Sequence, residues 1–191
     1  MESNQEEAKP TKRLLTRALD KLRHELLEIE RRCDLTTEQK IDRVVHLGCS
    51  TCAAVAIQPI PFADIFVLTP LQALMGMKIA NVHGLKISDQ EARESVKQLF
   101  AVMGLGLIAQ QLAIGAYKTV LPFLGAITTI PLVYGLTYAI GRTIDAYFRA
   151  KAQGRSLDDA TLTEIFRKAR KAGEAEGRKQ RAEVQAQSKG L

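Results

Sequence analysis

The stretch "LFAVMGLGLIAQQLAIGAY", Leu99 to Tyr117, decides the fold class, because it holds nineteen residues and none of them is charged. A helix needs about 20 apolar residues to cross a bilayer, although a deeply buried core helix also has this character. A turn at Pro122 and Gly125 then leads into a second uncharged segment that ends at Gly141. The pattern predicts a central apolar helical hairpin with arms at about 99–117 and 122–141.

Charged residues are concentrated towards the two ends of the chain. Asp64 is the only charged residue within 44–77, and Lys118 is the only one within 98–141. The formal net charge is +6, and most of the basic excess follows residue 141. Few aromatic residues lie there to stack on bases, so we expect no nucleic-acid partner.

Two interpretations of the hairpin remain open. The favoured one places it in a membrane with both termini in the cytoplasm, because basic residues at its open end outnumber the single lysine at its tip. The basic residues at the open end are Arg93, Lys97, Arg142 and Arg149. The alternative is a soluble cytoplasmic protein in which a shell of helices buries the hairpin.

The whole pattern predicts an all-α helical bundle, since no strand-like alternation occurs. We expect a single domain over 12–172, with a disordered N-terminus at 1–11 and a mobile basic tail at 173–191. Capping boxes at Thr36 with Gln39 and Ser88 with Glu91 start two of its helices, and Ser156 with Asp159 starts the last. The predicted segments are an amphipathic helix at 12–33, a helix at 37–57, a proline elbow at 58–69, a helix at 70–83, hairpin helices at 89–117 and 122–153, and a helix at 156–172.

The first helix carries one apolar stripe, with leucines recurring at spacings of three and four from Leu15 to Leu26. The stripe could form a short coiled-coil seam with a second copy of the chain. At about three heptads it more often packs on its own domain, which is the interpretation we favour.

The elbow separates two apolar helices. Pro59 and Pro61 stop the first, because proline lacks an amide donor and disfavours helix in the residue before it. Thr69, Pro70 and Gln72 have the residue types of the N-cap, first and third positions of the next helix.

Asp64 and Gly84 mark the two ends of that next helix. Asp64 is an earlier candidate for its N-cap, and the alternative is a functional carboxylate. Gly84 suits the left-handed position after its last turn, where the adjacent His83 can interact with free carbonyls.

No arrangement of residues predicts an enzyme. His46, Cys49 and Cys52 fall on neighbouring turns of one helix, but a zinc site would need a fourth ligand, and apolar packing by the cysteines is favoured. The chain contains no phosphate-binding loop. We therefore expect no cofactor and no metal.

Two long stretches resemble a bacterial family of unknown function typified by YcjF. The first is "PIPFADIFVLTPLQALMGMKIANVHG", 59–84, and the second is "LPFLGAITTIPLVYGLTYAIGRTIDAYF", 121–148, followed by "GRSLDDATLTEIF", 154–166. The resemblance covers about 41–171. The candidate binding or structural motif comprises Pro59, Pro61, Asp64, Thr69, Pro70, Gln72, Met75, Gly84, Pro122, Gly125 and Gly141.

The resemblance implies a membrane domain that is often fused to, or encoded beside, a Ras-like or Era-like GTPase. Since this sequence has no nucleotide-binding motif, the expected role is a non-enzymatic anchoring or interaction module that works with a GTPase in trans. The alternative is a soluble bundle that hides its hairpin and inserts into membranes on a trigger.

Overall fold

A computed structural model shows that the described part of the chain is all-helical, which confirms the predicted all-α bundle. The backbone is described at residues 3–58, 63–88, 90–91, 94 and 125–191, and the side chains at 12–58, 67–88, 90–91, 94 and 128–191. Within these ranges the helices are α1 (Ser3–Arg31), α2 (Thr37–Ala56), α3 (Ala63–Val82), α4 (Gly125–Ala152), α5 (Asp159–Lys179) and α6 (Arg181–Ser188).

Side chains cap the starts of two of these helices. Thr36 accepts a hydrogen bond from the amide of Gln39 at 3.3 Å, and the Gln39 side chain accepts one from the Thr36 amide at 2.9 Å. The cap of α5 is Asp158, whose carboxylate accepts from the Thr161 amide at 2.7 Å. The prediction of Ser156 as this cap was wrong by two residues.

Glycines with positive φ end α3 and α4. Gly84 has φ 79° and Gly154 has φ 68°. In each case the next amide bonds back across the last turn, from Leu85 to Ala80 and from Arg155 to Ala150, both at 2.9 Å. This is the hydrogen-bond pattern of a glycine-terminated helix.

Helix α3 and helix α4 run in the same direction through the centre of the bundle. Gln72 of α3 meets Thr137 of α4, and further along both helices His83 meets Asp145. The first residues of α3 and α4 therefore lie at one end of the bundle, and the last residues lie at the other.

Helix α2 runs antiparallel to α4, since Asp42 pairs with Arg142 while His46 pairs with Tyr134. Helix α1 packs against α2 and α3, and its leucine stripe enters the common core, where Leu22 is fully buried. The stripe thus packs on its own domain. Within the described residues it is not available to form a coiled coil with a second copy of the chain.

Helix α5 packs unusually closely along α4. A Cβ added at Gly173 would lie 2.6 Å from the Cβ of Tyr138, and one added at Gly177 would lie 2.7 Å from the Cβ of Tyr134. Real Cβ atoms do not approach this closely, so only glycine fits at these two positions. The glycines therefore determine the distance between the two helix axes.

Both predicted disordered ends contain helix instead. Helix α1 begins at Ser3, before the predicted start at residue 12, and α5 runs on to Lys179 before α6 begins. Where the sequence predicts a mobile tail at 173–191, the structure has helix, in which Gly173 and Gly177 pack on α4 and Val184 is 0 % exposed in the core.

The elbow is shorter than predicted, because α3 begins at Ala63 and Pro70 lies inside it. Thr69 is therefore a helix residue and not the N-cap. Val67 and Leu68, which precede it, are buried in the core. The apolar area that they bury outweighs the hydrogen bond that Pro70 cannot donate.

The predicted hairpin is described only in its second arm. The first arm, 89–117, lies outside the described residues except for 90–91 and 94. In the second arm, α4 buries Ile130, Val133 and Ile140 against neighbouring helices of the protein. Within the described ranges, no helix combines the length and the apolar character needed to span a bilayer.

Candidate functional site

Three residues of the predicted motif converge in the core. Met75 of α3 lies between two glycines: a Cβ on Gly48 of α2 would lie 2.5 Å from its sulfur, and one on Gly141 of α4 would lie 3.3 Å from its terminal methyl. Gln72 lies one turn earlier on α3. Met75 and Gly141 therefore pack three helices together, which is a structural role.

Gln72 leaves a polar atom unpaired in this core. Its side-chain amide nitrogen donates to the Thr137 hydroxyl at 3.3 Å, but its buried carbonyl oxygen has no hydrogen-bond partner among the described residues. A buried carbonyl without a partner costs about 1–3 kcal/mol. This side chain is thus a local weakness in the packing of α3.

Among the described residues, the remaining motif positions Thr69, Pro70, Gly84 and Gly125 do not form a common site. Gly125 is the first residue of α4. Pro59, Pro61 and Pro122 lie outside the described residues, as does the side chain of Asp64. Asp64 is the second residue of α3, so it is not the N-cap that the sequence predicts, and a functional role for its carboxylate stays a prediction.

The cysteines of α2 face the core. Cys49 and Cys52 are fully buried, and burial raises the pKa of both thiols, that of Cys52 to about 12. A protonated, enclosed thiol is a poor nucleophile and a poor metal ligand. Among the described residues, no three His, Cys, Asp or Glu side chains lie close enough together to hold a metal ion.

His46 belongs to a polar cluster between α2 and α4. Its Nδ1 lies 2.6 Å from the Tyr134 hydroxyl of α4, which also hydrogen-bonds with Ser50. Burial raises the pKa of Tyr134, so the phenol stays protonated. Burial, with the positive charge of Arg142 nearby, lowers the pKa of His46 and favours its neutral form.

A second group of side chains extends this cluster. Arg142 donates to Asp42 at 2.5 Å and to the Tyr138 hydroxyl at 3.0 Å, and its guanidinium lies 4.9 Å from the centre of the Tyr138 ring. The Tyr138 ring also contacts the imidazole of His46, with ring centres 5.6 Å apart. Six polar side chains thus line one seam between α2 and α4, namely Asp42, His46, Ser50, Tyr134, Tyr138 and Arg142.

A cavity of about 490 Å³ opens beside His46 and Tyr134. Helix α1 contributes Lys21 and Glu25 to its wall, and the C-terminal helix α6 contributes Glu183. This volume falls in the range of about 300–1,000 Å³ that is typical of small-molecule sites. The His46 cluster and this cavity form the candidate functional site.

Two further polar clusters lie at the other end of the bundle. Lys78 of α3 forms an ion pair with Glu30 of α1 at 2.5 Å. His83 lies 2.8 Å from Asp145, which also accepts from Arg149 at 3.2 Å. His83 therefore binds a carboxylate, and not only the free carbonyls expected at a helix end.

Residues 17–172 match a family model described as "Domain of unknown function (DUF697)". The chain belongs to the DUF697 family. No curated protein and no solved structure matches it. The DUF697 match covers α2, α3 and α4 completely, together with the Lys21 and Glu25 wall of the cavity. It ends before Gly173, so α6 and its Glu183 lie beyond the matched residues.

Sequence reasoning missed this site. The sequence pattern places Tyr134 and Tyr138 only within an apolar arm and groups His46 with the cysteines. The available signal was the spacing of four residues that places Tyr134, Tyr138 and Arg142 on one face of a helix. Their partners on α2 lie about 90 residues away in sequence, beyond the reach of local patterns.

Proposed function

We propose that this DUF697 protein is a non-enzymatic, membrane-associated interaction module of the bacterial inner membrane that works with a GTPase in trans. Both termini face the cytoplasm, and lipid contact involves the apolar region within 95–124. Self-association of the chain is a further part of the proposal.

The observation that carries the proposal is the uncharged run from Leu99 to Tyr117 beside basic flanks. The proposed membrane contact is smaller than the predicted hairpin. Ile130, Tyr134 and Ile140 of α4 are buried by other helices of the bundle, so this part of the second arm is not available to lipid. The proposed contact therefore precedes α4.

The described chemistry supports a non-enzymatic role. Cys49 and Cys52 are buried with raised pKa values, and His83 is committed to Asp145. The outer faces of α1 and α5 are charged and exposed, which suits contact with a protein partner. The GTPase itself is inferred from the resemblance to the YcjF-like family.

Membrane association is tested by carbonate extraction of membranes from expressing bacteria. We expect the wild type in the pellet and the double variant Leu105→Asp/Ile108→Asp in the supernatant, because each carboxylate costs about 2.5–3.5 kcal/mol at the centre of a bilayer. The matched control is Leu27→Asp/Ala175→Asp, which adds two charges at exposed positions of α1 and α5 and should stay in the pellet. A wild type found wholly in the soluble fraction contradicts the proposal.

The GTPase partner is tested by purifying the tagged protein from lysates that contain either GDP or a non-hydrolysable GTP analogue. We expect a GTPase to co-purify preferentially in one nucleotide state. Recovery of no GTPase in either state would leave the membrane module without this partner and would refute that part of the proposal.

The burial of α4 favours a second candidate function, in which a soluble bundle hides its apolar segment and inserts on a trigger. Ile130 and Val133 lie in the protein core, as this candidate requires. It predicts a monodisperse protein without detergent that releases dye from liposomes after acidification. Dye release that is equal at pH 7 and pH 5 would exclude a triggered insertion.

A further inference from the structure

We propose that the cavity between α1, α2, α4 and α6 is a binding site for a small di- or polyamine. This inference is independent of membrane association, since every residue that carries it belongs to the described bundle. It gives a role to the C-terminal helix α6, which lies beyond the family match.

Two carboxylates face the cavity from different helices. Glu25 lies on α1 and Glu183 lies on α6, and within the described chain neither forms a hydrogen bond or a salt bridge. Most other described carboxylates near the bundle surface have such partners, as Glu164 does with Arg167 and Lys168. Two uncommitted carboxylates on separate walls suit a ligand with two separated cationic groups.

The charge of the cavity differs in sign from that of the whole chain. Its wall holds Glu25, Glu183 and one lysine, Lys21, while its histidine, His46, has a pKa lowered by burial and favours the neutral form. The lining thus carries about one net negative charge at neutral pH, whereas the chain carries +6. A cation would be repelled by most of the surface and attracted at this position.

The remaining wall suits the other groups of an amine. The side-chain oxygens of Ser50, Gln180 and Gln187 can accept hydrogen bonds from an ammonium group. Leu47 and Ala186 provide apolar surface for a methylene chain. Ammonium groups separated by methylenes are the defining chemistry of di- and polyamines.

The test is isothermal titration calorimetry of the full-length protein with spermidine. Mg²⁺ is the control for positive charge without a methylene chain, and 1,4-butanediol is the control for a methylene chain without charge. We expect saturable binding of one spermidine per chain and no comparable binding of either control probe. Absence of saturable spermidine binding, or equal binding of Mg²⁺, overturns the proposal.

Charge variants test the site itself. Glu25→Gln/Glu183→Gln should weaken spermidine binding about tenfold, since two partly exposed ion pairs are lost. Lys21→Gln should tighten binding about threefold by removing a repulsive charge. Glu164→Gln, which lies near the start of α5 sixteen residues before the cavity residue Gln180 and beside Arg167, should leave binding unchanged. All four side chains are partly or fully exposed, so a thermal melt should show that each variant folds. Equal affinity in wild type and the double variant overturns the assignment.

Discussion

Replacement of Gly173 by alanine tests the close contact between α4 and α5. The new Cβ would lie 2.6 Å from the Cβ and 2.9 Å from the Cγ of Tyr138, and 3.0 Å from the Cα of Gly135. These atoms are backbone, or the base of a side chain, so they cannot swing away without moving a helix. Overpacking of this kind costs about 1–3 kcal/mol.

Alanine also favours helix over glycine by about 1 kcal/mol, which offsets part of this cost. Because the atoms in contact cannot move aside, we take the upper part of the range for the overpacking cost. We therefore expect the free energy of unfolding to fall by about 1–2 kcal/mol. For a chain of this size, each kcal/mol lowers the melting temperature by about 2–4 °C. The variant should therefore melt about 2–8 °C below the wild type.

Gly48→Ala is the matched control, because it is also a buried helical glycine. Its new Cβ would meet the Met75 sulfur at 2.5 Å and the Met75 Cγ at 3.1 Å, but the Met75 Cβ only at 3.5 Å. A methionine side chain has three rotatable bonds and can move aside. The gain in helix propensity should then balance the strain, and the stability should change by less than about 0.5 kcal/mol.

Urea unfolding followed by circular dichroism at 25 °C measures both variants. The reasoning requires Gly173→Ala to be clearly less stable than Gly48→Ala. Equal stability of the two variants, or a Gly173→Ala protein as stable as the wild type, would show that α5 does not approach α4 as closely as described.

Three further predictions concern buried polar side chains, and the same urea experiment measures each. Gln72→Met should raise the free energy of unfolding by about 1 kcal/mol, because it removes an unpaired carbonyl; a loss of more than about 1 kcal/mol would show that this oxygen has a partner. Glu30→Ala should cost about 2–3 kcal/mol because it leaves the largely buried Lys78 without its anion, whereas Lys78→Met should cost less than half as much. Equal losses in these two variants would contradict that asymmetry. The pKa of His46 is lower in the folded protein than in the unfolded chain. As the pH falls through about 6.5, His46 therefore binds a proton in the unfolded chain before it does so in the folded protein, and the free energy of unfolding decreases. The free energy of unfolding of His46→Gln should therefore fall less than that of the wild type between pH 7 and pH 5.5, and parallel pH profiles would refute this.

Several local features could be read from the sequence because they involve only neighbouring residues. Thr36 and Gln39 form their reciprocal cap within four residues, and Gly84 allows a left-handed turn that other residues rarely adopt. Their geometry depends on the backbone of one helix end. Such features need no knowledge of how the helices pack.

The candidate site could not be read in this way. His46 and Tyr134 bond across 88 positions of sequence, and Glu25 and Glu183 reach one cavity from opposite ends of the chain. The sequence shows which side chains are present, but it does not show that they lie close together. Their proximity depends on the antiparallel packing of α2 and α4 and on the packing of α6 beside α1 and α2. No local periodicity contains that information.

The sequence alone determined that this protein is built of helices, because the spacing of apolar residues and the capping residues act over one or two turns. The tertiary structure decided where those helices continue and what they bury. Pro70 lies within α3 because the residues before it are buried, and the charged C-terminal segment is helical because Gly173, Gly177 and Val184 pack on the core. Contacts between distant parts of the chain supply more free energy than the local preference of any single residue, and they exist only once the bundle has formed.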